Sequence, residues 1–184
     1  MAQLNVKTRA EAVGTFRHVN VFLMETLAAW VPSTAEMEAK VLFGRHIWLV
    51  AQVADRLGRR ARELRAPLHF SRLPSASYVK ALDALAALTQ TAPRLEGLYR
   101  TALPSLRGGY ATYVAETDRL IDEPTVVVLE DAMREIDRMQ SESIRLLEEF
   151  PALREGASSA TGELRRRFAE ATDMIDVRRE PQSA

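Results

Sequence analysis

Four long amphipathic segments of the sequence each carry one ionisable side chain on the flank of an apolar face. These side chains are Glu25, His46, Glu116 and Glu135. Carboxylates and a histidine held together away from water have pKa values shifted toward neutrality, and such groups can exchange protons with a substrate. One carboxylate or imidazole from each helix of a four-helix bundle is also the arrangement that builds dinuclear metal sites. The pattern therefore predicts catalytic residues or metal ligands at the centre of a helical bundle.

Six further side chains are expected to complete the lining of this site. Val50 and Val53 make the space between the helices more apolar, and two tyrosines supply hydrogen-bond donors. A mostly apolar pocket with a few convergent polar groups is the usual site for a small organic molecule. The expected ligand-binding residues are Phe22, Val50, Val53, Tyr110, Tyr113 and Arg138.

Each of the polar groups also has a purely structural interpretation. A glutamate beside a core can reach solvent through its aliphatic stem. A buried histidine can be a core residue whose ring nitrogens are simply hydrogen-bonded. The sequence leaves both interpretations open for His46 and for the glutamates.

The element that positions His46 is a long helix predicted from Ser33 to Arg65. Ser33 followed by Glu36 has the form of a capping box, and Pro67 ends the segment. Apolar residues recur along it at helical spacing, so one face should be buried. That face consists of Ala39, Leu42, Phe43, His46, Val50, Val53, Leu57 and Leu64.

The other helices are predicted from the same periodicity and from the prolines and glycines. Pro93, Pro104 and Gly108–Gly109 are expected to break or kink the third helical stretch. The sequence contains no strand-like alternation, so the predicted fold is all-α, in a single domain spanning 1–184. The predicted segments are a first helix Ala10–Trp30, a third stretch between Ser75 and Thr117, a connection Asp118–Pro124 before a helix to Phe150, a last helix Glu163–Ile175 and a frayed tail Asp176–Ala184.

Composition narrows the classes of partner and the compartment. The 25 basic and 25 acidic residues cancel, so we expect neither nucleic acid nor an anionic membrane as a partner. The arginines of Gly58–Arg62 and Arg165–Arg167 are interleaved with glutamates, which is typical of solvated helix faces. No apolar run reaches the ~18 residues of a membrane span, and the N-terminus lacks the apolar core of a signal peptide, so a cytoplasmic protein is expected. The absence of cysteine excludes disulfides and thiolate chemistry.

Two strings of residues, together with the order of the long helices, resemble the ferritin-like superfamily. The first is Lys40–Trp48, which leads into Ala51–Asp55, and the second is Glu116–Thr125. The resemblance covers roughly 11–150, and the chain looks like bacterial ferritin-like proteins of uncharacterised or biosynthetic function. It implies a ferritin-like four-helix bundle with an additional C-terminal helix.

The resemblance also implies that a di-iron centre has been lost. Di-iron members carry a glutamate on helices one and three, which Glu25 and Glu116 match, and a Glu-x-x-His motif on helices two and four. Here the corresponding quartet on helix two is Val50–Val53, and on helix four it is Glu135–Arg138. Two divalent ions need several carboxylates to offset their mutual repulsion, and a guanidinium, which stays protonated, adds further positive charge. We therefore expect no metal and no other cofactor.

The function expected from these features is metal-independent acid–base chemistry on a small organic molecule. Isomerisation, cyclisation or elimination in a biosynthetic pathway would fit a bundle whose metals have been replaced by a cavity. In this hypothesis His46 shuttles the proton, Glu25, Glu116 and Glu135 are the catalytic carboxylates, and Arg138 holds an anionic group.

Two alternatives belong to other classes of protein. The first is a di-iron or di-manganese oxygenase with unusual ligands, drawn from residues such as His18, Glu36, Glu38 and Asp131. The second is a non-catalytic helical scaffold, which can be a homodimer because alanine-rich bundles often pair with themselves. Its sign would be a hydrophobic helix face left over after the bundle has packed.

Overall fold

The computed structural model describes residues 5–154, 158–171 and 174–175, and all regular structure within them is helical. The predicted all-α class is therefore confirmed, and the predicted tail Asp176–Ala184 lies outside the described residues. None of the helices described is both long enough and apolar enough to cross a membrane. The elements are α1 (Val6–Ser33), α2 (Met37–Glu63), α3 (Ala76–Ala86), α4 (Thr91–Gly97), a π-helical turn (Leu98–Ala102), α5 (Leu103–Glu116), α6 (Arg119–Glu149), a 3-10 turn (Pro151–Arg154) and α7 (Ser158–Glu170).

Four long helical rods surround the core: α1, α2, the continuous run from α4 through α5, and α6. Short connections join α1 to α2 and α5 to α6, and each of these pairs is antiparallel. A long crossover, residues 64–90, carries α3 and links the two pairs. Where α2 and α6 contact each other, residue numbers increase along one helix and decrease along the other, so these helices are also antiparallel. The contacts are His46 with Glu142, Arg56 with Asp131 and Arg60 with Asp122.

The predicted buried face of α2 is confirmed, because all eight of its residues are buried. The predicted capping box is wrong: Ser33 is the last residue of α1, and the Glu36 carboxylate instead accepts a hydrogen bond from Thr91. At the other end, Arg65 adopts a left-handed conformation with φ of 63°. The amide of Ala66 then bonds the carbonyl of Ala61, so α2 ends in a Schellman motif.

The third stretch is irregular just before each of its prolines: residues 87–90 separate α3 from α4 ahead of Pro93, and the π-helical turn precedes Pro104. Pro93 lies in the first turn of α4, where an amide has no intrahelical acceptor to lose. Pro104 lies inside the continuous rod, where its ring conflicts with the carbonyl four residues earlier. The wider π-helical turn directly before it, closed by the Leu103 amide bonding the Leu98 carbonyl, accommodates this proline.

The last two helices also differ from their predicted bounds. α6 begins at Arg119 instead of after Pro124, and Asp122 interrupts it with a non-helical backbone (φ −132°, ψ 19°). The last helix among the described residues is α7, which ends at Glu170.

The crossover packs against α1 at Gly14, where a Cβ would lie 2.5 Å from the Phe70 ring. A larger residue at that position would therefore push the crossover away from the core.

Candidate functional site

The centre of the bundle is packed. Val50 and Val53 meet Tyr110 there, as the sequence predicts, but leucine, isoleucine and methionine side chains fill the space among them. The remaining cavity of about 10 Å³ has room for about one water molecule. The prediction that the centre of the bundle holds a pocket for an organic molecule is therefore wrong. The lining residues are Asn20, Val50, Val53, Leu103, Leu106, Tyr110, Ala132, Ile136 and Met139.

Two predicted catalytic residues face away from that centre. Glu25 and Glu116 are exposed, so the prediction that they point inward is wrong. Glu25 lies on the side of α1 opposite its buried stripe, close enough to His18 to raise that imidazole's pKa against the larger effect of burial, which lowers it. Phe22 is half-buried and packs against the edge of the core. Glu116 is the last residue of α5, where the helix has left the centre of the bundle.

Glu135 and Arg138 lie on the side of α6 that faces α2. Glu135 is half-buried, and its Oε2 atom is buried without a hydrogen-bond partner among the described residues. Arg138 is exposed, lies 4.0 Å from that oxygen and donates to Glu142 at 3.0 Å. The structure therefore links Arg138 to His46 through their shared partner Glu142, with Glu135 two turns away along the same side of α6 and the other predicted glutamates exposed.

His46 is fully buried and both of its ring nitrogens are occupied. Nδ1 lies 2.7 Å from the Tyr99 hydroxyl, and Nε2 lies 3.2 Å from Oε2 of Glu142. Glu142 also accepts hydrogen bonds from Arg45 at 3.1 Å and from Arg138 at 3.0 Å. The three residues Tyr99, His46 and Glu142, which we call the relay, connect the core to the protein surface.

The directions of the pKa shifts indicate which atoms of the relay carry protons. Burial raises the pKa of Tyr99 well above its usual value, so its hydroxyl keeps the proton and donates it to Nδ1. Burial would also raise the pKa of Glu142, but the donors around its carboxylate lower that pKa to about 2. Burial lowers the pKa of His46 more than the hydrogen bond to Glu142 raises it. His46 is therefore neutral at pH 7, with its remaining N–H on Nε2 donated to the carboxylate.

Sequence reasoning missed Tyr99 and Glu142. Glu142 lies seven residues after Glu135 and four after Arg138, so helical spacing alone could have placed it on the same stripe of α6. Tyr99 could not be placed in that way. It belongs to the π-helical turn, whose extra residue shifts the phase of the helix between Tyr99 and Tyr110.

A second polar network lies at the opposite end of the α2–α6 contact. Asp122 is fully buried and accepts hydrogen bonds from Arg60 at 3.0 Å, Thr125 at 2.6 Å and Thr117 at 3.0 Å. Tyr113, a predicted ligand-binding residue, donates its hydroxyl to the same carboxylate at 2.7 Å. Burial raises the pKa of Tyr113, so this hydroxyl stays protonated. These groups, which we call the clamp, are committed to one another.

The outer face of α2 carries an exposed apolar stripe formed by Met37, Val41, Gly44 and Trp48. Met37 is 65% exposed, Val41 55% and Trp48 66%. Gly44 lies between them, and no atom of the described residues beyond its own turn of helix comes within 4 Å of where its Cβ would be. A hydrophobic helix face that stays exposed after the bundle has packed is the feature expected of a helical scaffold.

In the described part of the chain, no three His, Asp or Glu side chains converge closely enough to hold a metal ion. Comparisons of the whole chain with family models, with curated proteins and with solved structures find no match.

Proposed function

We propose that this protein is a helical scaffold that associates with a second copy of itself through the apolar stripe on α2. The observation that carries the proposal is the exposure of Met37, Val41 and Trp48 on one side of a helix whose opposite face is completely buried. Single exposed apolar residues are ordinary, but an aligned set that includes a tryptophan is typical of a contact surface.

The glycine in the stripe supports a close partner. Glycine inside a helix costs roughly 0.5–1 kcal/mol relative to alanine. Packing within the described chain gives no reason to bear that cost at Gly44, because the space around it is open. A second helix approaching closely at this point would give the missing side chain a purpose.

We propose a second copy of the chain as the binding partner because the stripe can be complementary to itself. A two-fold interface uses the same patch on both subunits, so that patch must be complementary to itself. The stripe carries two larger residues, Val41 and Trp48, and for each a smaller one, Gly44 and Met37 respectively, on the same face. The zero formal net charge also means that two copies do not repel each other at long range.

The test replaces an exposed apolar residue inside the stripe and one outside it. In sedimentation velocity from about 1 µM to about 1 mM, the wild-type chain should form a dimer, and the Trp48→Gln variant should be shifted toward monomer. Leu120→Gln is the matched control, since Leu120 is an exposed leucine at the α5–α6 corner, far along the molecule from the stripe. A wild-type chain that stays monomeric throughout, or equal effects of the two variants, would contradict the proposal.

The relay favours acid–base chemistry on a small molecule as a second candidate function. Tyr99, His46 and Glu142 form a hydrogen-bonded path from the core to the surface. Because His46 is fully buried, a substrate could reach it only if α2 and α6 separate. Native-state amide exchange tests this: exchange of 42–50 and 136–143 faster than global unfolding supports the candidate, and exchange only through global unfolding contradicts it.

The acid–base hypothesis assumes a ferritin-like fold, and we propose that fold as well. Support comes from four long rods, two antiparallel pairs and one long crossover, residues 64–90, between them. Elemental analysis after expression with added iron and manganese tests the expected loss of the metal centre. Two metal ions per chain would overturn that expectation and favour the oxygenase alternative.

A further inference from the structure

We infer that the two copies pair with their α2 helices antiparallel, so that Glu38 of each copy lies beside Arg45 of the other. The inference rests on the proposed self-association and adds its orientation, its register and the residues that select the partner. It follows from the spacing of the stripe and from the charges that flank it.

The stripe has the spacing of a two-helix seam. Met37, Val41, Gly44 and Trp48 are separated by four, three and four residues, which is the alternation of a and d positions in a heptad. The midpoint of the stripe falls between Val41 and Gly44. Turning one copy end for end about that midpoint places Met37 opposite Trp48 and Val41 opposite Gly44, so each layer pairs a larger residue with a smaller one.

The flanking charges choose the antiparallel orientation. Glu38 and Arg45 each follow a stripe residue by one position, so both lie on the same edge of the stripe. In an antiparallel pair these edges meet, and an acidic residue of one copy faces a basic residue of the other. In a parallel pair Arg45 would instead face Lys40, which repels it.

Arg45 is positioned for this contact within a single copy. Its side chain is 56% exposed, and its guanidinium uses Nη1 to bond Glu142. A guanidinium has five N–H donors, so it can hold Glu142 and a second carboxylate at once. The relay thereby orients the arginine at the edge of the stripe, and Glu38, which is exposed, supplies the second carboxylate.

The length of the stripe sets the strength of the pairing. Twelve residues of helix span about 18 Å, and an interface of that length is at the small end of those that proteins use. We therefore expect a weak, concentration-dependent dimer whose affinity responds measurably to one charge pair.

Charge reversal tests the orientation. We expect Glu38→Arg and Arg45→Glu each to weaken dimerisation by about threefold to tenfold, because each change creates two like-charge contacts. The double variant Glu38→Arg/Arg45→Glu should return to within about twofold of the wild-type dissociation constant. A parallel dimer gives the opposite sign for Arg45→Glu, which would then attract Lys40 and tighten the dimer, and that result would overturn the inference.

A glycine pair provides a second measurement that does not disturb Glu142. Gly44 and Gly108 are both exposed helical glycines with open space at the Cβ position. Alanine at either site should raise the midpoint of thermal unfolding, but only Gly44→Ala should weaken dimerisation, because only Gly44 lies under the opposing helix. Equal dissociation constants for the two variants would overturn the close approach.

The outcomes separate this inference from the proposed function. If the wild-type chain is monomeric, the scaffold proposal fails and the charge variants have no dimer to act on. If a Trp48-dependent dimer forms but the double charge variant is no tighter than the single ones, self-association stands and the antiparallel pairing is wrong. If Trp48→Gln has no effect on a dimer that nevertheless forms, a different surface is responsible and both are wrong.

Discussion

The contact between α2 and α6 contains two polar networks with opposite chemical character. The clamp at the C-terminal end of α2 pairs two charged side chains, Arg60 and Asp122, almost entirely away from water. The relay near the N-terminal end contains a neutral, titratable imidazole, and its carboxylate reaches solvent at Glu142. Both networks join the same two helices, and the relay is the one that contains an imidazole, the side chain whose ordinary pKa lies closest to neutral pH.

The difference follows from the backbone that carries each network. Asp122 lies where α6 departs from helical geometry, two residues before Pro124, and this break turns the carboxylate inward toward four donors. Glu142 lies in regular helix on the flank of the core, so only part of its carboxylate is covered. A broken helix therefore produces a fixed ion pair, and a regular one produces a network open to the surface.

The largest effect should come from removing the carboxylate of the clamp. Asp122→Ala leaves the mostly buried guanidinium of Arg60 with only the exposed carboxylate of Glu63 as a counter-charge, and it leaves Tyr113 without its acceptor. Breaking a buried pair in this way costs about 3–5 kcal/mol. The measurement is the free energy of unfolding from urea denaturation.

Asp131→Ala is the matched control for that change. Asp131 also pairs with an arginine of α2, Arg56, but both side chains are about one-third exposed. Exposed pairs of this kind contribute about 1 kcal/mol or less. Similar losses for Asp122→Ala and Asp131→Ala would show that burial does not distinguish the clamp.

A smaller effect is expected from removing the imidazole of the relay. His46→Leu leaves the buried Tyr99 hydroxyl without a partner but leaves Glu142 its two arginines, so the expected loss is about 1–3 kcal/mol. Adding Tyr99→Phe removes the unsatisfied hydroxyl as well. The double variant should therefore be no less stable than His46→Leu, and a further loss equal to that of Tyr99→Phe alone would contradict the hydrogen bond between them.

The sequence predicts the apolar faces well because periodicity reports burial directly. Every residue of the predicted face of α2 is buried, including His46, the one polar member. The inward orientation predicted for Glu25 and Glu116 is wrong. Both side chains are exposed: Glu25 lies opposite the buried stripe of α1, and Glu116 is the last residue of α5. Periodicity identifies the apolar face of a helix, but it does not turn a polar residue outside that face toward the core.

The networks themselves depend on departures from regular helix. Tyr99 reaches His46 because a π-helical turn shifts its phase, and Asp122 is buried because α6 breaks at that residue. A rule based on 3.6 residues per turn carries no information about either event. The prolines at positions 104 and 124 mark both places in the sequence, but they predict an irregularity without its geometry.

The smallest effect expected from the relay is a dependence of stability on pH. The pKa of His46 is lowered in the native state from an unfolded value of 6.5, chiefly by burial, so the unfolded chain takes up a proton that the native chain does not. The contribution of His46 to stability is therefore fully present above pH 6.5 and is lost as the pH drops below it. Glu142, with a pKa of about 2, keeps its charge through that window, so the loss is due to the imidazole.

His46→Gln tests this assignment because glutamine offers one donor and one acceptor but does not titrate. Its free energy of unfolding should change less than that of the wild-type chain between about pH 7 and about pH 5. His18→Gln is the control: burial lowers the pKa of His18 too, but this imidazole is only partly covered and lies near Glu25. If His18→Gln flattened the pH profile as much as His46→Gln, the pH response would not be specific to the relay.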